Sequence, residues 1–345
     1  METNKYRYCF IDASYLIRRN SWACSRGKQP GEYNAIDIVK MCIQSTNKLA
    51  RDYGVTADKY IMVFDSWSKE YQGYYRAYLI KDYVTYKSSR KFETIEELKR
   101  MEADPNISQE EIQKYAYRLY ENQQRMDAKK ILKNLGGIGI PAIWTESLEY
   151  DDLVYLAGIF MINDDKPSVI VTKDSDLKYC TTPNLDYFSL PTSGSKPEII
   201  TYDTMCAEIP ENLREPLYLA AKKEYGSALY LYKALTDSLG DGHNDLERTK
   251  KYRTSTNQVI LEILQDNYDN VEKKDLFLKQ LETFKVFNFP KAMDAYQTIC
   301  SIKGNGHYAS IEDFHKFCDY YGIQGISDEY YQGFLNRLDQ RLFSE

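Results

Sequence analysis

Acidic residues recur directly after short apolar segments in the first two-thirds of the sequence, a pattern that could hold metal ions. The acids follow four such segments: Asp12, Asp65, Glu149 with Asp151 and Asp152, and Asp174 with Asp176. Taken singly, each acid has a simpler explanation as a helix cap or a turn residue. Caps and turns do not explain why the acids recur at corresponding places, so we expect them to form one site.

Carboxylates that are brought together repel one another, and bound cations would offset this repulsion. The chain has three histidines, His243, His307 and His315, and its cysteines form no CxxC pair. The sequence therefore offers few of the nitrogen and sulfur ligands that zinc prefers, whereas carboxylate oxygens suit Mg²⁺ or Mn²⁺. We expect two or more Mg²⁺ ions, for which Mn²⁺ can substitute. Such a pair activates water and stabilises the leaving oxygen of a phosphodiester.

The apolar segments that precede the acids alternate with helical patterns. Strands are predicted at 6–12, 59–65, 137–145 and 168–172. One helix is predicted between Asn34, its N-cap, and Gly54, its stop, and another at 151–162. This alternation is typical of an α/β fold with a mainly parallel sheet and flanking helices. The carboxyl ends of parallel strands meet at one edge of the sheet, which would bring the acids together.

A segment rich in tyrosine and charge interrupts the alternation between Ser66 and Gly136. Ser108 and Glu111 have the spacing of a capping box, so we interpret about 67–135 as a helical insertion. Its lysines and arginines could contact nucleic acid despite the net charge of −6, because acids in a metal site account for part of that charge. A solvated helix surface explains these basic residues equally well. With little apolar surface to bury, we expect the insertion to have low local stability.

Beyond about residue 205 the strand patterns stop, and helical patterns follow in segments such as NQVILEILQ and IEDFHKFCDYY. We predict an α/β core over 1–205, with the insertion inside it, and a C-terminal helical domain over 206–345.

The sequence has no apolar run long enough to cross a bilayer and no secretory-signal pattern at its N-terminus. Its seven cysteines are odd in number and scattered, which favours reduced, mostly buried thiols. We expect a cytoplasmic location and no membrane partner.

The acidic motifs occur in an order that resembles the 5′-nuclease family. Those motifs are FIDAS, VFDSW, Glu149-Tyr150-Asp151-Asp152 and VTKDSD. The family includes flap endonucleases, the 5′-nuclease domain of bacterial DNA polymerase I, and the flap nucleases and ribonuclease H of tailed phages. The resemblance implies a PIN-like catalytic core in which the acids bind metal ions, with Asp152 and Asp174 central to catalysis. It also implies that the C-terminal helical domain completes the metal site and binds duplex, and that a phage-encoded member acts in the cytoplasm of the host cell.

Two further elements of the family have counterparts here. Tyr86-Lys87-Ser88-Ser89-Arg90 stands where the family has Tyr-Lys-x-x-Arg, which implies that Tyr86, Lys87 and Arg90 bind nucleic acid. Lys87 and Arg90 would contact the scissile phosphate from the base of a helical arch formed by the insertion. The family's last acidic pair is Gly-Asp-x-x-Asp, whereas this chain has Asp237 and Asp241 one residue further apart. Asp245 is the alternative to Asp241, and the glycine-rich hairpin that follows in the family is missing.

The function expected from the resemblance is metal-dependent hydrolysis of phosphodiesters near 5′ ends during DNA replication or repair. Its substrates would be DNA with a 5′ flap or nick, or an RNA/DNA hybrid whose primer is removed as by a phage ribonuclease H. A single-strand-binding protein or a polymerase would accompany it. Two alternatives stay open: a PIN-like ribonuclease, and a catalytically silent replication scaffold that binds nucleic acid.

Overall fold

The computed structural model describes residues 5–65, 93–134, 141–144, 150, 153–154, 166–191, 196–221, 225–236, 257–267 and 311–329. Its strands are β1 (Tyr6–Asp12), β2 (Ala57–Val63), β3 (Ala142–Ile143), β4 (Ser168–Thr172), β5 (Leu185–Ser189) and β6 (Glu198–Ile200). Its helices are α1 (Ala13–Ser25), α2 (Ala35–Tyr53), α3 (Ile95–Ala103), α4 (Gln109–Leu132), α5 (Tyr202–Glu208), α6 (Glu211–Ala220), α7 (Tyr225–Thr236), α8 (Asn257–Leu264) and α9 (Ile311–Tyr321). A 3₁₀ helix covers Ser175–Cys180.

The chain forms two compact units. The first comprises Met1–Phe64, Arg90–Ile143 and Ile302–Glu345, and the second comprises Asp65–Ser89 and Trp144–Ser301.

The first unit contains the strands in the order β3-β2-β1, all parallel. Asp12 pairs with Val63, and Val63 pairs with Ile143. Every residue of β2 is buried, which fits a strand covered on both faces. The second unit contains β4 parallel to β5 and a short antiparallel strand, β6. The predicted α/β class with a mainly parallel sheet and flanking helices is therefore confirmed.

Helix α2 begins and ends where its sequence predicts. The Asn34 side chain accepts hydrogen bonds from the backbone N–H groups of Ile36 and Asp37, and the Asp37 side chain accepts one from the Asn34 N–H. These bonds satisfy N–H groups that have no partner within the helix. Gly54 ends α2 in the left-handed conformation, with φ of +65°, which glycine adopts without steric cost.

Helix α4, which lies within the predicted insertion, packs against α1 and α2. The predicted capping box is present, since Ser108 and Glu111 each accept a hydrogen bond from the other's backbone N–H. The Gln124 side chain accepts a 2.9 Å hydrogen bond from the Ala35 N–H. The Tyr117 and Tyr120 hydroxyls donate to the carbonyls of Ser25 and Tyr33, respectively. This part of the insertion therefore packs within the first unit, and the low local stability expected of 67–135 stays a prediction.

Helices α5 to α8 share an apolar core in the second unit. Its buried members are Met205, Ile209, Leu213, Leu217, Ala228, Leu229, Leu231, Leu235, Val259, Ile260 and Ile263. The helical character expected beyond residue 205 is seen in the described residues there. The predicted helix at 151–162 lies outside the described residues except for Leu153 and Val154, which are helical.

Among the described residues, six cysteines are free and five of them are buried. This agrees with the prediction of reduced thiols. No helix in the described part of the chain is both long and apolar enough to cross a membrane.

Candidate functional site

Asp12 ends strand β1 and serves as the N-cap of α1. Its Oδ1 accepts a 2.8 Å hydrogen bond from the Tyr15 backbone N–H. Aspartate is among the preferred N-cap residues because its short side chain reaches the exposed N–H groups of the first turn. The side chain is buried, with the residue only 7% exposed. A carboxylate offers about four acceptor positions, and this bond to the Tyr15 N–H orients the group.

Asp65 follows β2 by two residues, and its Oδ1 accepts a 2.7 Å hydrogen bond from the Tyr150 backbone N–H. Tyr150 is helical and its residue is 2% exposed. Both residues belong to the second unit. Tyr150 stands between Glu149 and Asp151 in the sequence. The bond therefore holds the acid of the second motif against the backbone of the third.

Asp174 follows β4, all of whose residues are buried. The Thr172 hydroxyl accepts a 3.1 Å hydrogen bond from the Asp174 N–H, and the Leu177 N–H donates to the Asp174 carbonyl at the start of the 3₁₀ helix. The turn is therefore fixed by local bonds, while the Asp174 residue is exposed. Asp176 lies within the 3₁₀ helix, and its side chain is outside the described part of the structure.

Helix α7 packs against this 3₁₀ helix within the second unit. The Tyr179 ring lies between two ammonium groups, with Lys178 Nζ 5.3 Å and Lys233 Nζ 5.2 Å from its centre. Lys233 is 4% exposed, and the face of an aromatic ring offsets part of the cost of burying a cation. Helix α7 ends at Thr236, the residue before Asp237. Helix α7, which directly precedes Asp237 of the last predicted acidic motif, thus contacts the 3₁₀ helix that follows Asp174.

The remaining predicted site residues lie outside the described residues: Tyr86, Lys87, Arg90, Glu149, Asp151, Asp152, Asp237 and Asp241. Within the described ranges, no group of three or more histidine, cysteine or acidic side chains could hold a metal ion. Only Asp12, Asp65 and Asp174 of the predicted metal ligands have described side chains. The complete ligand set therefore stays a prediction.

Three described thiols, Cys24, Cys42 and Cys318, are poor metal ligands, because a thiol binds metal as the thiolate. Burial raises the pKa of Cys24 to about 11 and of Cys318 to about 11. Burial also raises the pKa of Cys42 to about 12, against an opposing contribution from its hydrogen bond with Asn20. With these raised pKa values, the three thiols are protonated at neutral pH.

The sequence reasoning did not single out the outer face of α1, which begins directly after Asp12. This face carries Tyr15, Arg18, Arg19, Trp22 and Arg26. Their spacing of three or four residues was the signal that could have identified them as one surface.

Comparison with known proteins gives structural similarity at low sequence identity. No family model and no curated protein sequence matches the chain. Bacteriophage T5 flap endonuclease in complex with DNA and metal ions is similar with a TM-score of 0.49 and 14% identity, over 92% of this chain and 98% of that one. The catalytic core of Rad2 with DNA gives 0.43 and 14%, over 97% and 93%. Human GEN1 with Holliday junction DNA gives 0.41 and 10%, over 96% and 71%.

The first of these proteins is a flap endonuclease, and the acidic motifs in the sequence resemble that family. With TM-scores below 0.5 and identities of 10% to 14%, the similarity assigns no role to any residue of this chain. The assignments below rest on sequence positions and on the bonds described above.

Proposed function

We propose that this protein is a metal-dependent, structure-specific 5′-nuclease that hydrolyses phosphodiesters near 5′ ends in DNA replication or repair. The observation that carries this proposal is the hydrogen bond from the Tyr150 N–H to Asp65. Asp65 follows the buried parallel strand β2. The bond connects this acid to the segment that contains Glu149, Asp151 and Asp152. Such a concentration of carboxylates is costly without cations.

The donor set fits Mg²⁺ or Mn²⁺. Carboxylate oxygens are the ligands that these hard ions prefer. Burial keeps the Cys24, Cys42 and Cys318 thiols protonated, and the one described histidine, His315, lies 3.2 Å from Asp328 in the first unit. In this proposal the metal ligands are Asp12, Asp65, Glu149, Asp151, Asp152, Asp174, Asp176, Asp237 and Asp241.

Bound in pairs, such ions lower the pKa of a water molecule and neutralise charge on the leaving oxygen. The protein would supply the orientation. Asp12 is held by the Tyr15 N–H and Asp65 by the Tyr150 N–H, so neither carboxylate needs to be ordered when the ions bind. Fixed charges and dipoles of this kind stabilise a transition state without reorganisation.

Lys87 and Arg90 are proposed to bind the scissile phosphate, and Tyr86 to contact the adjacent nucleotide. A lysine supplies a point charge and an arginine a bidentate partner for phosphate oxygens. Lys87→Ala should lower the single-turnover rate at saturating substrate, because its charge acts in the transition state. Lys130 serves as a comparison, since its exposed ammonium lies 2.9 Å from Asp127 on α4. Lys130→Ala should change affinity in a salt-dependent way and leave the saturated rate unchanged.

The proposed substrates are DNA with a 5′ flap or a nick, and RNA/DNA hybrids at which an RNA primer is removed. A panel of flap, nicked and RNA-primed duplexes, labelled at the 5′ or the 3′ end, distinguishes these with Mg²⁺ present. Release of whole flaps identifies endonuclease action, and release of mononucleotides identifies exonuclease action.

The test of the metal mechanism uses Asp152→Asn and Asp174→Asn, which keep side-chain volume and remove the charge. Both should abolish cleavage and leave the fold and DNA affinity nearly unchanged. Asp203→Asn is the matched control, because Asp203 is an exposed acid in the first turn of α5 outside the acidic motifs. Cleavage that persists in EDTA would overturn the proposal.

The same panel separates the two alternatives. A PIN-like ribonuclease would cut single-stranded RNA without requiring a 5′ end. A silent scaffold would bind flap DNA with unchanged affinity and cut none of the substrates with Mg²⁺ or Mn²⁺.

A further inference from the structure

The outer face of α1 has an unusual composition. The buried positions of this helix are Ala13, Leu16, Ile17, Asn20, Ser21, Cys24 and Ser25. Apart from Ser14 and Ala23, its remaining positions and the C-cap form what we call the α1 stripe: Tyr15, Arg18, Arg19, Trp22 and Arg26.

Helical geometry places these residues along one side. Tyr15, Arg19, Trp22 and Arg26 are spaced by four, three and four residues, the separations at which helix side chains are neighbours. At about 1.5 Å per residue, the stripe runs for roughly 16 Å from the end of the helix next to Asp12. It therefore forms a continuous track rather than an isolated patch.

The stripe contains arginine and aromatic residues and no acid. Surface helices usually mix charges of both signs, often as neighbouring ion pairs. Helix α4 follows that pattern, with Lys130 near Asp127 and Lys114 near Glu110. The α1 stripe does not, so it presents net positive charge at its own surface although the whole chain is acidic.

Trp22 and Arg26 form an exposed part of the stripe. The Trp22 residue is 62% exposed. The Arg26 guanidinium carbon lies 5.6 Å from the centre of the Trp22 ring, and the Arg26 N–H donates a 3.1 Å hydrogen bond to the Trp22 carbonyl. Two flat groups, one cationic and one aromatic, are thus held together at the surface by a turn of backbone.

We propose that the α1 stripe binds the unpaired strand of a nucleic acid, with bases stacked on Trp22 and phosphates paired with Arg18 and Arg26. Exposed aromatic rings stack on any base, and arginines neutralise the backbone, which is how proteins bind single strands without sequence preference. A duplex cannot use the stripe in this way, because its base faces already stack on one another. This inference deepens the proposed nuclease function, on which it rests, by assigning a route for the strand on the Asp12 side.

Trp22 itself provides the measurement. The chain has three tryptophans, Trp22, Trp67 and Trp144, so the variant Trp67→Phe/Trp144→Phe retains Trp22 as its only indole. Oligo(dT) is titrated into this full-length protein in EDTA, which prevents metal-dependent cleavage during the titration. Stacking should quench the Trp22 fluorescence with saturation, and a blunt duplex of equal phosphate concentration should quench it much less.

Affinity for a labelled oligo(dT) is then compared among variants with matched controls. Trp22→Ala should weaken binding about tenfold and Trp22→Phe should restore most of it, in keeping with stacking. Arg26→Ala should lower the salt slope by about 0.7, the value for one phosphate contact on a single strand. Trp144→Ala and Arg51→Ala are the controls. Trp144 is 43% exposed, and the Arg51 side chain is 51% exposed beside Asp52.

The outcomes separate this inference from the proposed function. Loss of oligo(dT) affinity in Trp22→Ala supports single-strand binding by the α1 stripe, whether or not the wild-type protein cuts DNA with Mg²⁺. Unchanged affinity in both Trp22→Ala and Arg26→Ala overturns it, even if the nuclease activity is confirmed. Equal quenching by polyglutamate and oligo(dT) also overturns it, because that result would assign the stripe to acidic polymers in general.

Discussion

The backbone N–H of Tyr150 donates a 2.7 Å hydrogen bond to Asp65 Oδ1, joining residues 85 positions apart. Asp65→Asn keeps an acceptor oxygen for this bond and removes the charge, whereas Asp65→Leu removes both. We expect Asn to preserve the free energy of unfolding without metal and to reduce cleavage by more than about 100-fold. Leu should in addition cost about 1.5 kcal/mol or more, because a buried N–H loses a charged partner.

A second readout for Asp65 does not depend on cleavage. A ligand that binds only the folded state stabilises it in proportion to its affinity, so Mg²⁺ should raise the melting temperature of the wild-type protein. This rise should be smaller in Asp65→Asn and normal in Asp203→Asn. An undiminished rise in Asp65→Asn would remove Asp65 from the ligand set.

Asp12 has a structural task as well as its proposed metal-binding one. Asparagine caps helices about as well as aspartate, whereas alanine costs about 1 kcal/mol. We therefore expect Asp12→Asn to unfold in urea near the wild-type midpoint and to lose cleavage. Asp12→Ala should lose cleavage and unfold at lower urea. Equal unfolding midpoints in the two variants would show that the bond to the Tyr15 N–H adds no stability.

The acids after α7 can be ranked by activity at several Mg²⁺ concentrations. Asp237→Ala should lose most activity, because Asp237 directly follows a helix that packs against the 3₁₀ helix after β4. Asp241→Ala should recover partly at high Mg²⁺, and Asp245→Ala should be mildly affected. A reversed order would show that the register of the last motif is shifted.

Lys59 predicts a pH dependence of stability in the first unit. Burial within β2, with a smaller contribution from Arg7, lowers the pKa of Lys59 to about 8, compared with about 10.4 in an unfolded chain. Between these two pKa values the unfolded state binds more protons than the folded state, so the free energy of unfolding rises as pH increases from about 8 to 10.4. Below about pH 8 this gain in stability is absent, because Lys59 is protonated in both states.

Lys59→Met should remove this slope, which is measured by urea denaturation of the variant and the wild type across pH 7 to 10.5. The variant should be more stable than the wild type at pH 7 by about 1 to 3 kcal/mol, and the difference should shrink at high pH. Parallel curves for the two proteins would contradict the lowered pKa. Lys48→Met is the control, since Lys48 lies on the surface of α2 near Asp52.

Elements with strong local signals were predictable from the sequence. The bounds of β1, β4, α2 and α9 follow from apolar periodicity and from caps such as Asn34 and Gly54. The short strand β6 was not predicted, because three exposed or half-buried residues provide no apolar alternation. Helix α1 was not predicted, because three of its seven buried positions are the polar residues Asn20, Ser21 and Ser25, which interrupt the apolar periodicity.

The docking of α4 also could not be predicted. Its apolar face is narrow, and among its residues only Ile112, Ala128, Lys129 and Leu132 are buried. Its attachment also uses tertiary hydrogen bonds, which the Tyr117 and Tyr120 hydroxyls donate and the Gln124 side chain accepts. The composition of one segment does not show where such distant partners lie, and the same is true of the bond between Tyr150 and Asp65.

That bond has a consequence for how far the sequence can diverge. The donor is a main-chain group, so the bond itself excludes only proline at position 150, while burial restricts the size of the side chain there. The bond therefore depends on the backbone geometry at position 150 and on Asp65, and it does not depend on the type of side chain at position 150. Homologous proteins can therefore differ at position 150 and still hold the Asp65 carboxylate, provided that the backbone there keeps its place.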